Sequence, residues 1–213
     1  MITVWGRATS ANVQKVMWTV AELGMPYERI DAGGVHGGLD TDAFRAVNPH
    51  GKVPAARFAD GVTMFESNAI MRRLALTDPE RRLWPAEGQA SADADMWAEW
   101  AHIEFAFHLT AVFKAVVRTR PADRDPSLIA RHLASANQAL SVAEERLMSA
   151  PFIAADQLTI ADISLGYFLY RYFTMEIEQA NLPSVFAYYQ RLTERPAFAQ
   201  HVMVDYQGLR PAE

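Results

Sequence analysis

The sequence predicts two domains, an α/β domain at the N-terminus and an all-α domain at the C-terminus. In the first 77 residues, short β-branched and aromatic runs alternate with segments whose apolar residues recur at helical spacing. Beyond residue 90 the pattern is helical. The stretch 78–89 has two prolines, a glycine and no period, so we predict domains at 1–77 and 90–213 joined by a linker at 78–89.

The N-terminal domain begins with a strand–helix–strand unit. Residues 2–5 predict a strand, the apolar stripe between 11 and 23 predicts a helix, and 27–30 predict a second strand. Gly24 and Pro26 mark the end of that helix. A unit of this length implies parallel strands joined by a right-handed crossover.

The rest of this domain completes a known order of elements. A short helix is predicted around 42–47, a hairpin from 55–58 and 62–65 about an Asp-Gly turn, and a third helix through 66–76. The order β-α-β-α-β-β-α is that of the thioredoxin fold. We therefore predict a thioredoxin-like N-terminal domain.

The C-terminal domain is predicted to be a helical bundle. Helices are expected at 92–117, 127–148 and 160–173, and another starts at 182–184 and stops before a proline. Thr159 and Asp162 have the spacing of a capping box at the start of the third of these helices. Asp162 is therefore predicted to be structural.

Composition excludes several classes of function. The formal net charge is −5 with no basic stripe, which argues against a nucleic-acid partner. Cysteine is absent, so the chain supplies no thiolate nucleophile, and any thiol chemistry needs a thiol from outside. There is no leader-like N-terminus and no long apolar window, so we expect a cytoplasmic protein with no membrane partner.

Three short motifs could carry chemistry. Ser10, at the predicted start of the first helix, could stabilise a bound thiolate, although a plain N-cap is commoner. An ordinary trans proline is commoner at Val53-Pro54, but we predict a cis bond, because it would let the Val53 backbone pair with an extended ligand. Glu66 and Ser67 could hold an α-amino-acid group, or could only cap the third helix.

Together these motifs resemble a known family. The segments SANVQKV (10–16), NPHGKVP (48–54), FESNAI (65–70) and TIAD (159–162) are similar in order and spacing to the signature positions of cytosolic glutathione S-transferases. The resemblance covers essentially the whole chain and is closest to the serine-type theta, delta and bacterial nu-like branches.

The resemblance implies an enzyme that uses glutathione as co-substrate. It implies that Ser10 or Thr9 activates the sulfur and that Asn12 helps to position it. It further implies that Val53 holds the cysteinyl backbone and that the γ-glutamyl end meets Glu66 and Ser67. His50 or Lys52 is implied to meet the glycine carboxylate. A hydrophobic electrophile, a homodimer and a role in detoxification are also implied.

Other functions remain open at this stage. The same site could serve glutathione-dependent disulfide or peroxide reduction or isomerisation, or the chain could be a non-catalytic scaffold. A metal site is not predicted, because the pairs Glu99/His102 and Glu104/His108 lack the further ligands that a di-iron site needs. His102 or His108 is instead expected to line a substrate pocket.

Overall fold

A computed structural model describes residues 1–85 and 88–211. The N-terminal domain is built on a four-stranded sheet in the order β2-β1-β3-β4. The predicted thioredoxin-like order is confirmed. Its elements are β1 (Ile2–Trp5), α1 (Ala11–Glu22), β2 (Tyr27–Ile30), α2 (Asp42–Arg45), β3 (Ala55–Arg57), β4 (Thr63–Phe65) and α3 (Ser67–Thr77).

Strand pairing brings the predicted site segments together. Strands β1 and β2 are parallel, as expected for the crossover, whereas β1–β3 and β3–β4 are antiparallel. Ala55 pairs with both Trp5 and Phe65. The chain before β3 therefore runs beside both the loop after β1 and the start of α3.

The C-terminal domain is helical, as predicted. Its elements are α4 (Gln89–Trp100), α5 (Phe107–Val117), α6 (Pro126–Leu147), α7 (Ile160–Thr174), α8 (Pro183–Thr193) and α9 (Pro196–His201). Within the described residues, none of the helices combines the length and apolar composition that crossing a membrane requires.

The prediction of one regular helix over 92–117 is wrong in one respect. The segment Ala101–Ala106 between α4 and α5 is π-helical. An extra residue per turn shifts the side chains that follow, and such segments are frequent at functional sites. The sequence does not reveal the π-helical segment, because the apolar residues of α4 and of α5 each recur at the spacing of an α-helix.

The two domains share one core. Val16, Trp18 and Met71 of the N-terminal domain are buried in the same apolar cluster as Phe105 and Tyr167. Helix α7 lies between α1 and α4 and contacts both. The packing of α7 against α1 and α4 therefore fixes the positions of the side chains that face a cleft between the domains.

The predicted linker is well anchored where it is described. Its residues 86 and 87 lie outside the described residues. Arg82 binds the buried Asp78 and donates to the Leu23 carbonyl at the end of α1 (3.0 Å), while the Leu83 carbonyl accepts from Ile160 N (3.1 Å). These bonds tie the connection to both domains.

The predicted capping box at α7 is confirmed. The Thr159 side chain accepts from the helix backbone and the Asp162 carboxylate accepts from Thr159 N (2.8 Å). The carboxylate also accepts from Ile153 N and from the Tyr188 hydroxyl, each at 2.9 Å. Burial raises the pKa of Asp162, and these donors limit the rise.

Candidate active site

A cleft of about 390 Å³ lies where the start of α1 faces the C-terminal domain. Four of the residues singled out in the sequence line it: Ser10, Asn12, Lys52 and Val53. Arg7, Ala11, Leu39 and Gly51 also line it from the N-terminal domain, and the remaining wall comes from α5, from Arg118 just after it, and from α7. The structure thus brings together residues from the first helix and from the turn before β3.

Ser10 occupies the N-cap position of α1, but its side chain makes no capping hydrogen bond. Its carbonyl accepts the first helical bond, from Gln14 N (2.9 Å), so only the hydroxyl is left uncommitted. The side chain is largely buried in the wall of the cleft. A ligand in the cleft would meet this hydroxyl beside the positive end of a helix.

The Val53–Pro54 peptide is cis, as predicted. Val53 lies against Gly6, where an added Cβ would come within 3.1 Å of the Val53 Cβ and 2.3 Å of Val13. Gly6 also has a φ of 151°, so this close approach of the two chain segments requires glycine.

Glu66 and Ser67 stand at the start of α3, next to the strand that pairs with β3. Glu66 has a φ of 66°, in the left-handed region that a non-glycine residue seldom adopts. Its side chain is exposed and makes no capping bond, whereas Ser67 is buried. Neither residue lines the 390 Å³ cleft itself.

The turn before β3 is fixed by a residue that sequence reasoning missed. Buried Asn48 donates to the Lys52 carbonyl (2.8 Å) and accepts from His50 N (3.0 Å). These bonds hold Lys52 at the edge of the cleft. His50 instead packs its ring edge-on to Phe65, with ring centroids 5.5 Å apart.

Arg171 of α7 is a second residue of the site that no sequence motif marks. It is 3% exposed and donates to the Thr9 carbonyl at 2.8 Å, so it fixes the backbone immediately before Ser10. Burial lowers the pKa of Arg171 to about 10. Thr9 itself is not among the residues that line the cleft.

Behind the start of α3 lies a buried polar network around Lys15. The Lys15 ammonium donates to the Asn68 Oδ1, which also accepts from the Ser164 hydroxyl (3.2 Å). Burial lowers the pKa of Lys15 to about 7, opposed by the charges of Glu99 and Glu66. The network joins α1, α3 and α7 directly under the Glu66–Ser67 segment.

A second cavity, of about 730 Å³, adjoins the cleft. Asn12, Thr110 and Lys114 line both spaces. The rest of its wall comes mainly from α5 and the π-helical segment, with contributions from α6 and α7. The large side chains that line it are His102, Ile103, Phe107, His108, His132 and Tyr167. Both histidines that the sequence placed near a pocket, His102 and His108, line it.

His108 makes a contact that the helix pattern did not predict. Its Nδ1 lies 2.9 Å from the Nδ1 of His132 on α6, so one ring must donate and the other accept. Among the described residues, no group of three or more His, Asp or Glu side chains is arranged to hold a metal ion.

Arg72 of α3 makes ion pairs with two acidic side chains of the same chain. Its guanidinium lies 2.6 Å from Asp95 and 2.8 Å from Glu99. It therefore links α3 to α4 within one chain.

This architecture defines a class of protein. The model for the glutathione S-transferase N-terminal domain matches residues 9–77, and the model for the C-terminal domain matches residues 126–191. The chain belongs to the glutathione S-transferase family, which confirms the resemblance read from its motifs and the prediction of an enzyme of this type.

Individual relatives match over nearly the whole chain. It is 35% identical over 206 residues to the glutathione S-transferase GstB of Escherichia coli, which covers 96% of this chain and 99% of that protein. The theta class glutathione S-transferase of Xanthomonas axonopodis pv. citri, solved with glutathione bound, superposes with a TM-score of 0.91 at 39% identity, covering 96% and 98% of the two chains. A glutathione S-transferase of Pseudomonas fluorescens superposes with a TM-score of 0.83 at 27% identity, covering 96% and 99%.

Proposed function

We propose that this protein binds glutathione in the 390 Å³ cleft and transfers it to a hydrophobic electrophile held in the 730 Å³ cavity. The observation that carries the proposal is the uncommitted Ser10 hydroxyl at the start of α1, lining the cleft beside that cavity. A solved relative at 39% identity carries bound glutathione, which supports the same ligand here.

The chemistry follows from the position of the sulfur. A thiolate beside Ser10 accepts a hydrogen bond from its hydroxyl and is further stabilised by the free N–H groups of the first turn of α1. Both effects lower the pKa of the thiol, whose proton passes to solvent. The thiolate then attacks the electrophilic carbon, forming the sulfur–carbon bond as the leaving group departs.

The remaining residues are proposed to bind glutathione in the ground state. The Ser67 N–H and hydroxyl receive the γ-glutamyl carboxylate, and Glu66 accepts from its ammonium group. The Val53 backbone pairs with the cysteinyl residue, and Lys52 or His50 meets the glycine carboxylate. Lys52 suits this last role better, because it lines the cleft. Thr9 and Asn12 remain the alternatives to Ser10 at the sulfur.

Replacing Ser67 by alanine tests this binding mode. A hydrogen bond to a charged group contributes about 1.5–3 kcal/mol, so Ser67→Ala is expected to weaken glutathione binding by roughly tenfold or more. Isothermal titration calorimetry measures the change. Ser127→Ala, the same change in the exposed first turn of α6, is expected to leave affinity unaltered.

Two outcomes distinguish an error in the role given to Ser67 from an error in the proposed function. Wild-type affinity in Ser67→Ala contradicts the role given to Ser67. A wild-type protein that neither binds glutathione nor is retained on immobilised glutathione contradicts the proposed function as a whole.

We also propose a two-fold homodimer that packs the N-terminal domain of one chain against the C-terminal domain of the other. Met96, Ile103 and Phe107 are 56%, 57% and 64% exposed along the helical stretch that follows the linker, and Ile103 and Phe107 also line the 730 Å³ cavity. Covering such large apolar side chains with a second chain favours a dimer. Sedimentation at micromolar concentration is expected to give twice the chain mass of 23.8 kDa. A single species of chain mass contradicts the dimer.

A further inference from the structure

The cleft holds more positive charge than glutathione needs. Five cationic side chains line it, from four separate parts of the chain: Arg7, Lys52, Lys114, Arg118 and Arg171. No aspartate or glutamate is among the described residues that line it. In the described ranges 1–85 and 88–211, none of the five forms an ion pair with a carboxylate.

These charges also act on one another. Burial, and then the charge of Arg118, lower the pKa of Arg7. Burial lowers the pKa of Arg171 to about 10, and the charges of Arg118 and Arg7 contribute to that fall. Arg171 is buried and Arg7 half-buried, whereas Lys52, Lys114 and Arg118 are exposed. Cations that line one cleft without counter-charges together create a positive potential that attracts an anion.

Glutathione accounts for only part of this charge. In the binding mode proposed above, its γ-glutamyl carboxylate meets Ser67 and its glycine carboxylate meets Lys52 or His50. That arrangement leaves Lys114 of α5 and Arg118 at the C-cap of α5 without an anion. They stand one helical turn apart and therefore share a face.

Lys114 lies where the second substrate must enter the reaction. It lines both the cleft and the 730 Å³ cavity, together with Asn12 and Thr110. The only carboxylate lining that cavity among the described residues is Glu104, whose side chain is exposed. An electrophile in the cavity therefore meets Lys114 where the cavity joins the cleft. Arg118, which lines the cleft, lies one helical turn further on.

Resting on the proposed function, we propose that the second substrate is an apolar electrophile, aromatic in character, that carries a carboxylate or a similar anionic group. Lys114 binds this group at the boundary of the two spaces, and Arg118 supports it. The apolar and aromatic side chains of the larger cavity cover the rest of the molecule. Lys114 is thereby a specificity-determining residue.

The test compares two electrophiles that differ in one charge. A chloro-dinitrobenzoic acid and its uncharged primary amide react with glutathione at the same ring carbon, and each enzymatic kcat/KM is normalised by its uncatalysed rate. The wild type is expected to favour the acid. Lys114→Met is expected to lower kcat/KM for the acid about tenfold or more, with less than a threefold change for the amide.

Two further variants test whether the effect depends on the charge and on its position. Lys114→Arg keeps the charge and is expected to retain preference for the acid. Arg191→Met removes the same unit of charge on α8, outside the cleft, and is expected to leave the acid-to-amide ratio unchanged. Added salt is expected to reduce the preference in wild type and to have little effect in Lys114→Met.

Three results overturn the inference. Equal normalised kcat/KM for acid and amide in wild type overturns it, provided that glutathione still binds. A rise in the KM for glutathione in Lys114→Met, equal with both electrophiles, assigns the cation to the glycine carboxylate instead. Failure of the wild type to bind glutathione at all removes the proposed function, and this inference with it.

Discussion

Ser10→Ala is expected to lower kcat for glutathione conjugation by roughly 10- to 150-fold while leaving glutathione affinity nearly unchanged. The proposed hydrogen bond from Ser10 would strengthen as the sulfur becomes anionic, and a bond to a charged group contributes about 1.5–3 kcal/mol. In the proposed binding mode, ground-state binding depends mainly on Val53, Glu66 and Ser67. The loss should therefore appear in kcat and not in the dissociation constant.

The pH dependence gives this prediction a second readout. Without the hydroxyl the pKa of the bound thiol rises, so the kcat–pH profile should move to higher pH. The deficit should then be largest at low pH, where less of the sulfur is ionised, and should shrink as the pH rises through the new pKa. Ser10→Thr retains a hydroxyl and is expected to recover part of the rate.

Stability distinguishes this role from that of a helix cap. The Ser10 side chain makes no capping bond, so the free energy of unfolding of Ser10→Ala should change little. A true N-cap would lose about 0.5–2 kcal/mol on the same substitution. Full activity with an unshifted profile transfers the thiolate role to Thr9 or Asn12, whose alanine variants should be measured in parallel.

The largest effect on stability is expected at Asp162. Its fully buried carboxylate accepts four hydrogen bonds, from Ile153 N, Thr159 N, the Thr159 hydroxyl and the Tyr188 hydroxyl. Asp162→Ala leaves these donors buried without an acceptor, and each unsatisfied group costs about 1–3 kcal/mol. We expect a loss of about 3 kcal/mol or more in the free energy of unfolding, measured by urea denaturation.

Activity separates a structural role from a catalytic one at this position. Turnover per folded molecule of Asp162→Ala should remain close to wild type, because Asp162 is not among the residues that line the cleft or the adjoining cavity. Asp156→Ala in the same loop changes an exposed aspartate and should alter stability by no more than about 0.5 kcal/mol. A variant that unfolds like wild type but loses turnover contradicts the assignment.

Local sequence patterns were sufficient to predict much of the fold. The apolar stripe of α1, the Asp-Gly hairpin and the capping box at Thr159 and Asp162 all depend on residues within a few positions of one another. Short-range geometry and side-chain entropy act on such neighbours in the same way whatever surrounds them. The element order was therefore predictable before any tertiary contact was known, whereas the cis bond at Val53–Pro54 was predicted only from the ligand pairing expected at Val53.

Tertiary structure alone decided which charged side chains are buried around the cleft and behind α3. Arg171 and Thr9 are 162 positions apart, and Lys15 and Asn68 are 53 apart. In the sequence Arg171 and Lys15 are polar interruptions of apolar helices, with nothing to mark them as buried. Their burial follows from the packing of α7 against α1 and α3. A charge buried there has to find a partner on a neighbouring segment, which for Arg171 is the Thr9 carbonyl across the domain boundary and for Lys15 is Asn68 on α3.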